Sequence, residues 1–211
     1  MKLLLMHGWG LDGAIWRNLT ARLGDCDIAI DDRGYFGAPV APAIDAPCVV
    51  LAHSFGAMRA LMAPPPNMRG LIAINGFDRF ASRDHQPGVA RRLIDRMIDR
   101  FGSSPEAVLT EFRQRCGWRD PAPHFDADLL LRDLQSLRDD DASGISAALC
   151  VPVLSLQGAH DAILPEPLRA TVFSTATDVA RLTHAEAGHL LPMERPQWCA
   201  SAIRDFMERV N

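Results

Sequence analysis

Three residues in this chain have the types, order and settings for nucleophilic acyl transfer. The first is Ser54, within Cys48-Val49-Val50-Leu51-Ala52-His53-Ser54-Phe55-Gly56-Ala57. An apolar, β-branched run ends at this point, and a small-residue turn leads into a helix-like segment. The turn matches G-x-S-x-G with Ala52 in the first small position. A nucleophile on so sharp a turn needs small neighbours two positions away, so that strand and helix can pass closely. Its hydroxyl would stand at the C-terminal edge of a sheet, over a helix N-terminus whose dipole favours developing negative charge. Taken alone, the pentapeptide also fits a serine in an ordinary strand-to-helix turn.

A serine hydroxyl needs a general base, and the base needs an orienting carboxylate. After the apolar run 151–156 comes Gln157-Gly158-Ala159-His160-Asp161-Ala162-Ile163-Leu164-Pro165, with Asp161 just past the strand end. After the last short apolar run comes Ala187-Gly188-His189-Leu190-Leu191-Pro192. Ser54, Asp161 and His189 therefore each fall on a loop that follows a strand, which is the requirement for meeting at one sheet edge. His160 precedes the acid, and His184 precedes the Gly-His loop. His53 adjoins Ser54 and cannot easily fold back as its base. These three histidines read as structural or pocket-lining. Asp31 and Asp32 end an earlier run and more naturally shape the Arg33-Gly34 turn. Acyl transfer also needs an oxyanion hole. His7-Gly8-Trp9-Gly10 follows the first strand, and the amides of Trp9 and Phe55 are the expected donors. Trp9 also reads as a packing aromatic.

The elements that must position these groups follow from the hydrophobic pattern. Apolar runs at 2–6, 27–31, 48–52, 69–74, 151–156 and 179–182 have the length of buried parallel strands. Helix-like segments at 13–23, 56–63, 166–173 and 194–210 alternate with them, so the expected class is α/β, with a mostly parallel sheet flanked by helices. Residues 75–148 break the rhythm. They read as helices at 87–101, 105–116 and 126–137, a helical cap inserted between strands of a core formed by 1–74 and 149–211. Its arginines, Arg91, Arg92, Arg96, Arg100, Arg113, Arg115 and Arg119, either solvate amphipathic helices or face an acidic partner.

The 211 residues suffice for one domain with an insertion, and a net charge of −4 gives no general attraction to nucleic acid or anionic membrane. The five cysteines, Cys26, Cys48, Cys116, Cys150 and Cys199, are scattered without metal-ligand spacing, which suggests free thiols. No run is long enough to span a bilayer, and the start lacks a signal-peptide pattern. The expectation is a cytoplasmic, monomeric protein with no metal and no organic cofactor.

With these residues placed, the chain resembles the α/β-hydrolase family over nearly its whole length. In particular it resembles the pimeloyl-acyl carrier protein methyl ester carboxylesterases of biotin synthesis, the BioH-type enzymes. The resemblance is carried by His7-Gly8-Trp9-Gly10-Leu11 with Trp16, by Ala52-His53-Ser54-Phe55-Gly56, and by Gly158-Ala159-His160-Asp161 through Pro165. Ala187-Gly188-His189, the cap segment Phe112-Arg113-Gln114-Arg115-Cys116-Gly117, and the leucine-spaced stretch from Leu131 to Asp140 complete it. The resemblance implies a serine carboxylesterase with Ser54, Asp161 and His189 as its triad. It implies a methyl ester on a pimeloyl chain carried by acyl carrier protein, with the acidic carrier meeting cap arginines. Phe112, Arg113, Gln114, Arg115 and Cys116 would line the acyl channel, together with Trp9, Ser54, Phe55 and His189. Cys116 stands where such enzymes often carry Gln, and the cap arginines do not align one for one with carrier-binding positions. A general carboxylesterase, thioesterase or lactonase of the same fold is the alternative.

Overall fold

The computed structural model describes residues 1–84 and 86–210. Six strands, β1 (Lys2–Met6), β2 (Ile28–Asp31), β3 (Cys48–His53), β4 (Met68–Ile74), β5 (Val153–Gly158) and β6 (Val179–His184), form one sheet. Their order is β2-β1-β3-β4-β5-β6, and every pairing is parallel. Strands buried on both faces need apolar side chains throughout, and β3 is buried at every position. In register, Met6 lies beside Ala52, Ala52 beside Ala73, Ile74 beside Leu156, and Gly158 beside His184. The loops that leave these ends share one edge of the sheet.

A 3-10 turn (Gly13–Trp16) leads into α1 (Arg17–Leu23), and α2 (Phe55–Met62) follows β3. The chain runs outward from β1 to β2, then returns to place β3 on the other side of β1. Right-handed crossovers consequently put α1 and α2 on opposite faces of the sheet. The strand order reverses between β1 and β3. Crevices in open α/β sheets form at that switch point, beyond the strands' C-terminal ends. Ser54 leaves β3 there, and His7 and Gly8 leave β1 there.

Between β4 and β5 the chain inserts α3 (Arg91–Ser103), α4 (Pro105–Cys116), α5 (Ala127–Asp139) and the short α6 (Ser143–Ala147). The hydrophobic pattern extends a helix back to residue 87, but α3 starts at Arg91. Before it, Val89 accepts from the Ser82 amide at 2.9 Å and donates to Phe80 at 2.9 Å, so this backbone is committed to a bridge. Likewise β5 starts at Val153 rather than 151, since Pro152 has no N–H to give a ladder. The remaining helices are α7 (Glu166–Thr171), α8 (Leu191–Glu194) and α9 (Pro196–Val210), with a break at Arg195 where one helix was expected from 194. Among the described residues no helix is long and apolar enough to cross a membrane.

The inserted helices are fastened to the core by polar contacts. Asp133 of α5 accepts from Arg33 Nε and Nη2, at 2.7 and 2.8 Å, and from the Tyr35 hydroxyl at 2.6 Å. The Trp9 indole N–H donates to the Leu130 carbonyl at 2.8 Å, and the Asp126 amide to the Tyr35 carbonyl at 2.8 Å. Bidentate guanidinium–carboxylate geometry fixes orientation as well as distance.

Candidate active site

Ser54 has φ +53° and ψ −126°, a region that side chains rarely occupy. Two close approaches hold it there. A Cβ at Gly56 would lie 2.3 Å from the Met6 carbonyl oxygen and 2.8 Å from that of His7. A Cβ at Gly8 would lie 2.9 Å from the Ser54 Cβ. The first turn of α2 is thus pressed onto the end of β1, and only glycine allows the approach at either position. The Ser54 amide donates to the Ile74 carbonyl at 3.0 Å, pinning the turn to β4.

The loop after β5 presents Asp161. Its Oδ1 accepts the amides of Ile163 and Leu164, at 2.7 and 3.0 Å. Its Oδ2 lies 2.8 Å from His189 Nδ1. Burial acts to raise the Asp161 carboxyl, but the facing imidazole and the two amides outweigh it and hold it below the usual carboxylate range. Asp161 is therefore ionised at neutral pH and accepts the Nδ1 proton. In the neutral imidazole this tautomer leaves Nε2 as the acceptor, as a general base requires. Nε2 is buried with no hydrogen-bond partner among the described residues, and Ser54 Oγ is not within bonding geometry of it. Such hydrogen bonds are often long before substrate binds. Arg169 braces the acid loop, donating to the carbonyls of Leu164 at 2.6 Å and Ala159 at 3.0 Å.

His53 is fully buried directly before the serine. Its Nε2 donates to the His189 carbonyl at 2.8 Å, and the two rings meet edge to face at 4.8 Å. Burial lowers the His53 imidazole to about 3, so it stays neutral and keeps a structural role. A positive charge on the neighbouring His189 would act in the same direction. His7 accepts the Arg33 amide at Nε2 (2.9 Å), which places its proton on Nδ1, 2.9 Å from the Gly8 carbonyl.

Phe55 is the first residue of α2, so its amide has no partner within the helix. The Trp9 amide makes no backbone hydrogen bond among the described residues. Both amides are thus unspent donors near Ser54, one on the turn after β1 and one in the first turn of α2. The Trp9 ring is buried and packs edge to face on Phe112 at 4.8 Å and on Phe101 at 6.1 Å.

The five cap residues separate. Phe112 is half-buried on Trp9 and borders Gly10. Arg113 is buried and donates to the Gly10 carbonyl at 3.0 Å. Its guanidinium lies between the Phe36 and Trp118 rings, 5.0 Å from each. Gln114 is exposed and lines a surface hollow with Gly117 and Arg119. Arg115 is exposed and donates to the Ala162 carbonyl at 3.0 Å. Cys116 is buried, and burial pushes its thiol well up, with the Asp161 charge adding to the shift. The last turn of α4 therefore overlies the acid loop and the turn after β1.

Sequence reasoning missed Asn75 and Glu194. Asn75 carries a faint signal as a short polar residue at the abrupt end of an apolar run. Glu194 accepts the amides on either side of His189, Gly188 at 2.7 Å and Leu190 at 3.2 Å. It lies five positions after His189, so nothing in its spacing marks the contact.

No family model matches the chain. A pimeloyl-[acyl-carrier protein] methyl ester esterase from Aeromonas salmonicida is 24% identical over 97% of this chain and 94% of the relative. One from Neisseria meningitidis serogroup B is 27% identical over 98% and 93%. Among solved structures, an esterase from Exiguobacterium antarcticum superposes with a TM-score of 0.83 at 17% identity, covering 99% of this chain and 92% of that one. A bromoperoxidase from Bacillus anthracis gives 0.84 at 16% identity, over 98% and 91%. Sheet order, insertion and solved neighbours agree that the chain has the α/β-hydrolase fold, and the relatives it resembles are carboxylic ester hydrolases.

Proposed function

We propose that Ser54, Asp161 and His189 form a catalytic triad that hydrolyses a carboxylic ester through an acyl-enzyme. The observation that carries this reading is the strained backbone of Ser54, kept at the end of a buried strand where a relaxed turn would be easier to build. His189 Nε2 takes the Ser54 proton as Oγ attacks the ester carbonyl carbon. The amides of Trp9 and Phe55 hold the oxyanion. As the tetrahedral intermediate collapses, the ester C–O bond breaks and His189 gives its proton to the departing alcohol. Water, deprotonated by the same imidazole, then attacks the acyl-enzyme and releases the acid and free Ser54. Asp161 keeps the imidazole in the tautomer that accepts at Nε2. No step draws on a metal or organic cofactor.

The proposed substrate is the methyl ester of a pimeloyl chain on acyl carrier protein, which is the substrate named for the relatives. Phe112 and Trp9 form the apolar wall nearest the turn after β1 and suit an aliphatic acyl chain. The carrier would meet the cap, which with residues 75–148 acts as the lid. A second reading is a general carboxylesterase on a small acyl substrate. It is favoured by the position of Arg113, which is buried against Gly10 rather than offered to a partner.

Replacing Ser54 with Ala in pure protein tests the triad. Turnover of a short p-nitrophenyl ester should fall by roughly 10⁶-fold, and labelling by a fluorophosphonate probe should vanish. Undiminished turnover would remove the assignment.

A further inference from the structure

His189 sits in a short loop that starts with a flexible glycine. The carbonyls of Gly188 and His189 both turn toward one side chain, Asn75. Its Nδ2 donates to Gly188 at 2.9 Å and to His189 at 2.9 Å. Its Oδ1 accepts the Gly158 amide at 2.8 Å, and its own amide donates to the Leu156 carbonyl at 2.8 Å. Two carbonyls at one end and an N–H at the other leave a single orientation for the carboxamide. Asn75 is fully buried with φ +46°, a conformation that Asn tolerates better than most side chains. It follows β4 directly, next to the strand that carries Ser54. Through Gly158 it also grips the end of β5, just before the Asp161 loop. One carboxamide thus links the loop that bears His189 to the end of β5, from which the Asp161 loop leaves.

We propose that Asn75 is a positioning residue for the general base, holding the main chain of the His189 loop against the end of β5. The inference rests on the triad reading. Asp161 can orient the imidazole only if the His189 backbone is itself fixed. Glu194 holds the amides on the outer side of the loop, and Asn75 holds the carbonyls on the inner side. His53 shares the His189 carbonyl, but the Gly188 carbonyl has Asn75 alone among the described residues. Without those donors the glycine lets the loop drift. A shift of about 1 Å at a reacting group costs on the order of 10²-fold in rate.

Two variants separate this role from plain stability. Asn75→Asp keeps the volume, the acceptor for Gly158 and tolerance of the positive φ, but loses both donors. Asn75→Gly keeps the backbone conformation and removes the side chain. Each is measured for kcat and KM on a p-nitrophenyl ester and for Tm, alone and combined with His189→Ala. The expected result in a folded variant is a loss in kcat on the order of 10²-fold with KM little changed. Fluorophosphonate labelling should slow in parallel. With His189→Ala in place there is no base left to position, so either Asn75 change should cause no further loss. An unchanged kcat in a folded variant would overturn the proposal. So would an equal fold-loss with and without His189, since that describes general damage. Should Asn75→Asp fail to fold, Asn75→Gly gives the same comparison. If His189→Ala alone leaves kcat intact, the triad reading itself fails, and that outcome is distinct from the others.

Discussion

Ser54 occupies a conformation whose mirror image is the extended region, so a residue without a Cβ adopts it freely. Strain of this kind costs about 1–3 kcal/mol. Ser54→Ala keeps the Cβ and the strain, whereas Ser54→Gly relieves it, with some offset from the greater freedom of glycine in the unfolded chain. Ser54→Gly should therefore be more stable than Ser54→Ala by about 1 kcal/mol, read from urea unfolding of the two proteins. Equal stability would mean that the neighbouring turn, and not this residue, bears the distortion. Gly8 and Gly56 explain why the chain cannot relax on its own, since each lets backbone pass where any side chain would collide.

At the scale of elements, the inserted helices are latched onto the turns that flank the site. Asp133 gathers Arg33 and Tyr35 from the segment after β2, and Arg113 reaches the Gly10 carbonyl from α4. Breaking a buried pair leaves its partner uncompensated. Burial and the Asp133 charge raise the Tyr35 phenol well above its ordinary value, so it remains a neutral donor that needs an acceptor. Arg33 is partly exposed, which places the cost at the low end of the usual range. Asp133→Ala should destabilise the protein by about 3 kcal/mol, measured by chemical unfolding. Proteolysis should then cut first within residues 75–148. Uniform cutting across the chain would show that these helices and the core unfold together.

For the whole molecule, charge decides how a carrier could dock. The chain has a net charge of −4, so attraction to an acidic carrier must come from a local basic surface. Arg91, Arg100 and Arg138 are already paired with Asp139, Glu111 and Asp95. Arg92 and Arg96 of α3 are exposed, one helical turn apart, and without an ion pair among the described residues. Under the carrier reading, raising salt from about 0.05 M to about 0.5 M should weaken binding of acyl carrier protein steeply. Arg92→Glu with Arg96→Glu should reproduce the loss at low salt while sparing turnover of a small ester. Salt-independent turnover of the carrier-linked ester would favour the generalist reading.

Much of this molecule is written locally. The lengths of the apolar runs and their alternation with helical periods imply a parallel α/β sheet with a helical insertion. The small residues around Ser54 imply a sharp turn. The positions of Asp161 and His189 just past strand ends bring them to the same edge. These inferences work because periodicity and turn chemistry act over a few residues. Contacts between distant segments lie beyond that reach. Asn75 meets Gly188 across 113 positions, and Arg113 meets Gly10 across 103. Neither spacing leaves a pattern along the chain. The start of α3 lies beyond local reach for the same reason, because a bridge from Val89 back to Phe80 and Ser82 overrides local helical preference. The sequence by itself determined which chemistry is available and on which loops it stands. Only the packed strand ends decided which side chain meets the Gly188 and His189 carbonyls, because buried backbone groups must find partners wherever the fold brings them.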